Sequence, residues 1–117
     1  MKRTICIFLL TLSFCLQAMA DGLGLRTVVI DAGHGGKDAG CVSADNKTYE
    51  KTITLDIAKT LSEKIKKAYP DVKVLLTRSK DEYVTLDNRA VKANNAKADL
   101  FISIHINSTT RNSPNGF

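Results

Sequence analysis

"VVIDAGHGG", Val28 to Gly36, decides how this 117-residue chain is read. Its first half is apolar at consecutive positions and rich in β-branched residues, the pattern of a strand covered on both faces of a parallel sheet. Its second half ends that strand with an acid, a histidine and three glycines. Glycines at such a place either close the backbone around a phosphate or let one side chain stand clear at a strand end. The residues that follow separate the two. A dinucleotide loop runs from its glycines straight into a helix, whereas a polar loop rich in Gly, Asp, Asn and Ser extends here to Tyr49. A Walker loop needs Gly-Lys-Ser/Thr, and Gly36-Lys37-Asp38 lacks the hydroxyl. An unencumbered His34 fits the stretch better.

Beyond the loop, Ile53, Ile57, Leu61, Ile65 and Ala68 recur at helical spacing, so Glu50 to about Tyr69 reads as an amphipathic helix ended by Pro70. "VKVLLTR" (Val72 to Arg78) reads as a second buried strand. Thr85 is placed to cap a second helix running to about Ala96, with Leu86, Ala90, Val91 and Ala93 as its apolar side. "DLFISIHIN" (Asp99 to Asn107) reads as a third strand. Strands alternating with helices predict an α/β fold, three-layered, with a mostly parallel sheet and helices on both faces. Three strands make a thin sheet, and the chain halts just after a Pro-Asn-Gly turn, as if before its next element.

The first twenty residues stand apart. A basic start at Lys2 and Arg3, an apolar run from Ile5 to about Leu16 and a small-x-small site at Ala18-Met19-Ala20 describe a secretory signal peptide. The alternative is an uncleaved membrane anchor, but the run is short for a bilayer span. A lipoprotein signal would need a small residue where Phe14 stands. The expected mature chain, residues 21–117, is one partial domain, exported to the periplasm or the exterior, with no stable membrane insertion. It carries fifteen Lys and Arg against twelve Asp and Glu, a net of +3. That modest excess, with few interleaved aromatics, does not suit a nucleic-acid binder. Cys6 and Cys15 leave with the signal, so Cys41 remains as one cysteine and no disulfide forms within the mature chain.

Right-handed crossovers put all strand C-termini on one edge, and the helices begin there. His34, Glu50 and His105 therefore reach one rim, and strand order 2-1-3 would bring His34 and His105 together. Two imidazoles and a carboxylate form the ligand set of a hydrolytic zinc site whose fourth position stays open to water. With a net charge of about +1, such a site lowers the pKa of water to about 7. Each residue alone has an ordinary explanation. A strand-end histidine is more often a structural hydrogen-bonding group, and Glu50 suits the first turn of a helix through its dipole. Only their convergence argues for metal. An anion site at the helix start is disfavoured, because Glu50 would repel phosphate. Ser103, His105 and Asn107 share one strand face, which turns polar toward the rim. Asp31 is placed either to orient a ligand imidazole or merely to finish the strand. Arg78 and Arg89 have two readings, contact with an anionic substrate or structural salt bridges. Cys41 reads as an ordinary thiol rather than a soft fourth ligand.

"VVIDAGHGGKDAG", "YEKTITLDIAKTL", "VLLTRSKDEYVTLDNRAVKAN" and "ADLFISIHIN" resemble, in order and spacing, the zinc-dependent type 3 N-acetylmuramoyl-L-alanine amidases. The likeness covers nearly all of Thr27 to Asn107. It implies that His34, Glu50 and His105 hold Zn2+ and that the substrate is peptidoglycan, cut between N-acetylmuramic acid and the L-alanine of the stem peptide. Ala39 stands where the family commonly has proline, and Cys41 where a small apolar residue is usual. The resemblance also implies further strands, a helix and a catalytic glutamate, all expected beyond Phe117. Amide hydrolysis needs such a proton carrier for the leaving amine. The chain is thus expected to be the N-terminal part of an amidase catalytic domain, the alternative being a catalytically incompetent remnant that binds metal or peptidoglycan. No regulatory partner is identified by these residues.

Overall fold

The computed structural model describes residues 24–107; the expected signal peptide and the segment after Asn107 lie outside them. Within them the order is β1 (Thr27–Ala32), α1 (Glu50–Ala68), β2 (Lys73–Leu76), α2 (Leu86–Asn95) and β3 (Leu100–Ile104). All three strands are parallel, in the order β2-β1-β3. Thr27 pairs with Lys73 on one side of β1, and Val28 with Leu100 on the other. The α/β architecture and the strand order are those expected from the sequence. At the opposite edge from the site, Asp99 Oδ2 accepts the main-chain N–H groups of Arg26 and Thr27, both at 2.8 Å, and pins the start of β1 to that of β3.

β1 is central and buried throughout Val28–Ala32, which is why its sequence is apolar on both faces. Val28, Ile30 and Ala32 pack against Leu55 and Ala58 of α1 and Val74 of β2, with Leu61, Ile65 and Ile102 around them. Asp31 points the other way and meets Arg89, so α2 lies on the opposite face. One helix per face gives the three layers.

The apolar sides expected of the helices are partly displaced. The buried residues of α1 are Glu50, Thr54, Leu55, Ala58 and Ser62, while Ile57 is 45% exposed. Three of these, Thr54, Ala58 and Ser62, are small and recur every four residues, and the longer Leu61 and Ile65 are partly buried against the core. In α2 only Arg89 and Ala93 are buried, and Leu86 is 83% exposed. The Thr85 cap is present as expected, its Oγ1 accepting the Asn88 N–H at 3.2 Å. No helix among the described residues is long and apolar enough to cross a membrane.

Candidate metal centre

β1 delivers the chain to the rim and then turns sharply. His34, Gly35 and Gly36 have successive φ angles of 61°, 127° and 56°. Glycine adopts these freely, but a histidine in the left-handed region costs about 1 to 3 kcal/mol and persists only where its surroundings hold it. Here the surroundings are two buried arginines. Arg89 donates from Nη1 to Ala32 O (2.6 Å) and from Nη2 to His34 O (2.8 Å). Arg78, 1% exposed, donates from Nε to Ala32 O and from Nη2 to Gly33 O, both at 2.9 Å, and from Nη2 to Lys51 O at 2.7 Å. The tight turn leaves the carbonyls of Ala32, Gly33 and His34 without ladder partners, and the guanidinium forks satisfy them, while the bond to Lys51 O ties Arg78 to the start of α1. Of the two readings offered by the sequence, anion contact is therefore excluded: both side chains are buried in the scaffold beneath His34.

Asp31 is likewise structural. Its Oδ1 accepts from Thr77 Oγ1 and Arg89 Nη1, and its Oδ2 from Ser103 Oγ, all at 2.7 Å. Burial raises its pKa, but these bonds outweigh burial and hold it below the ordinary carboxylate range. The imidazole of His34 is met instead by Asp38, a residue that the sequence pattern does not single out: Nδ1 lies 2.9 Å from Asp38 Oδ2. The bond from His34, followed by the Gly40 N–H, lowers the Asp38 pKa. The one sequence signal for it is the i, i+4 spacing within "HGGKD".

Glu50 opens α1, and the loop caps that helix with main-chain carbonyls. The N–H groups of Glu50 and Lys51 donate to Cys41 O (2.8 Å) and Ala39 O (3.1 Å). The carboxylate is gripped from both sides. Cys41 N–H donates to Oε2 and Ile106 N–H to Oε1, each at 2.8 Å. Burial raises the Glu50 pKa, but these two bonds, a further one from the Cys41 side chain and the nearby His34 carry it down to about 2. It is an anion at any ordinary pH. Cys41 is exposed and serves Glu50 rather than standing among the converging donor atoms.

His105 lies one residue past β3, so strand alternation no longer governs it. Ser103, expected to share its polar face, turns to Asp31. The His105 ring packs over Gly33, where a Cβ would lie 2.7 Å from both ring nitrogens. Gly40 closes the other side: at φ 66°, its added Cβ would meet Glu50 Oε2 at 2.7 Å and His34 Cδ2 at 2.6 Å. The site is thus walled by main chain at the two places where any side chain would intrude.

The three residues expected to converge do so. His34 Nε2 lies 3.1 Å from Glu50 Oε1, and His105 Nδ1 lies 3.2 Å from both. A tetrahedral zinc ion with bonds of about 2.0 to 2.1 Å has donor atoms about 3.3 to 3.4 Å apart. The observed triangle is within a few tenths of an ångström of that edge. Its chemistry also fits, since a carboxylate and two imidazoles bring converging lone pairs that a cation would relieve.

A family model described as N-acetylmuramoyl-L-alanine amidase matches residues 28–117. The sporulation-specific N-acetylmuramoyl-L-alanine amidase of Bacillus subtilis is 47% identical over 69% of this chain and 31% of its own length. The catalytic domain of CwlV, an N-acetylmuramoyl-L-alanine amidase from Bacillus (Paenibacillus) polymyxa, has a TM-score of 0.71 at 47% identity, over 79% of this chain and 51% of that one. An N-acetylmuramoyl-L-alanine amidase from Clostridium difficile 630 gives 0.72 at 43% identity, over 79% and 50%. The chain therefore spans about half or less of the length of these relatives. Matched over most of its length in both sequence and fold, it belongs to the type 3 N-acetylmuramoyl-L-alanine amidase family.

Proposed function

We propose that this chain is the zinc-binding part of an exported amidase that hydrolyses the bond between N-acetylmuramic acid and the L-alanine of peptidoglycan stem peptides, with His34, Glu50 and His105 as zinc ligands. The observation that carries the reading is the triangle of His34 Nε2, Glu50 Oε1 and His105 Nδ1, with sides of 3.1 to 3.2 Å. Family membership supplies the substrate class. Export rests on the signal-like residues 1–20.

Bound there, zinc would act as a Lewis acid, polarising a carbonyl and making water more acidic. The chain's own residues hold the geometry. Glu50 stays ionised through two main-chain N–H bonds, and Arg78 and Arg89 fix the carbonyls of the turn that presents His34. The family resemblance assigns the proton carrier for the departing amine to a glutamate C-terminal to Phe117.

Elemental analysis of the purified chain should give one zinc per molecule, and His34→Ala or His105→Ala should remove it. Full zinc content in either variant would take that residue out of the ligand set. Incubation of peptidoglycan with the protein extended through that glutamate separates enzyme from binder: chelator-sensitive release of stem peptides supports hydrolysis, whereas retention on the wall without release contradicts it and favours a binding remnant.

A further inference from the structure

Asp38 Oδ2 faces His34 Nδ1 at 2.9 Å. A carboxylate accepts hydrogen bonds and donates none, so the imidazole proton belongs on Nδ1. Glu50 Oε1 faces Nε2 at 3.1 Å and would by itself favour a proton there, so the Nδ1–H tautomer, with its Nε2 lone pair, is the one selected when a cation sits among Nε2, Glu50 and His105. Asp38 is itself anchored on three sides. Its Oδ1 accepts the Gly40 N–H at 3.1 Å, and its main chain exchanges two bonds with Gly35, at 2.8 and 3.1 Å. The turn around His34 is therefore closed by the residue that orients its ring. His105 is held differently: it offers Nδ1 to the centre, and its side chain is half exposed.

We propose that Asp38 is a positioning residue that fixes the Nδ1–H tautomer and the ring orientation of His34, and so raises the affinity of the site for zinc. This rests on the reading of His34, Glu50 and His105 as zinc ligands. Carboxylates that orient ligand imidazoles typically contribute 10- to 100-fold to metal affinity.

The test compares the full chain with Asp38→Ala, Asp38→Asn and Asp45→Ala. Asp45 bonds Ser43 and Lys47 within the same loop and meets none of the three proposed ligands. Zinc affinity is read by competition with a chromophoric chelator, and the His34 tautomer by 15N NMR of the ring. Asp38→Ala should bind zinc about 10- to 100-fold more weakly and lose the Nδ1–H signature. Asp38→Asn keeps an oxygen to accept from Nδ1–H but sets an amide or a lost bond against Gly40, and should fall between; it carries the test if the alanine variant fails to fold. Asp45→Ala should bind as the wild type does. Wild-type affinity in both Asp38 variants would overturn the proposal. So would equal weakening in both with the His34 tautomer unchanged, which would reduce Asp38 to loop support. A wild-type chain that binds no zinc would overturn the ligand reading itself, and is distinguishable from failure of Asp38 alone.

Discussion

Arg89 Nη1 and Asp31 Oδ1 form an ion pair 2.7 Å apart, buried between β1 and α2, and the same guanidinium holds the carbonyl of His34. The pair joins the far face of the sheet to the turn that presents the imidazole. Removing one partner leaves an uncompensated buried charge, which costs about 3 to 5 kcal/mol. Asp31→Asn should therefore shift the urea midpoint strongly downward. A change smaller than about 0.5 kcal/mol, the range of ordinary surface substitutions, would contradict this role.

Gly40 makes a separate prediction. Its φ of 66° and the 2.6 and 2.7 Å approaches of its virtual Cβ to His34 and Glu50 leave no room for alanine. Gly40→Ala should cost about 1 to 3 kcal/mol in stability and weaken zinc binding with it. Calorimetric melting and chelator competition on one preparation check both effects, and an unchanged zinc affinity would show that the wall is not tight.

Thr85 provides the contrasting case. Loss of its side-chain cap should cost about 1 kcal/mol, and because Thr85 Oγ1 meets the Asn88 N–H rather than Arg89 or a proposed ligand, zinc binding should not change. Denaturation of Thr85→Ala alongside a zinc titration reads the two separately.

Acid sensitivity follows from Glu50. Its folded-state pKa of about 2 lies below the ordinary 4.5, so the unfolded chain takes up the proton first. The stability it contributes is complete above pH 4.5 and is lost as pH falls toward 2. Asp31 acts in the same direction below its ordinary 3.8. Metal-free wild type should lose stability steeply in that window, and Glu50→Gln should flatten the decline. Urea midpoints that fall in parallel for both proteins would contradict the assignment.

The central strand and the rim it feeds are legible in the amino-acid sequence. The unbroken apolar run of β1 announces a strand covered on both faces, and the handedness of parallel crossovers places His34, Glu50 and His105 on one rim. Other features are hidden for physical reasons. Periodicity cannot report the carbonyls that a left-handed turn leaves unpaired, so Arg78 and Arg89 admit a substrate reading alongside the structural one. Asp38 acts within an irregular loop, where no repeat marks its direction, whereas Asp31 draws notice because it closes an apolar strand. The helix faces differ from expectation because apolarity ranks Ile57 above Ala58, whereas close packing against a sheet favours the smaller side chain.

X-ray absorption at the zinc edge of the loaded chain is the sharpest check on the proposed centre. Light scatterers at about 2.0 to 2.2 Å are expected, with two imidazole signatures and no sulfur. A sulfur shell at about 2.3 Å would make Cys41 a ligand, and a spectrum without imidazole scattering would contradict the proposed centre altogether.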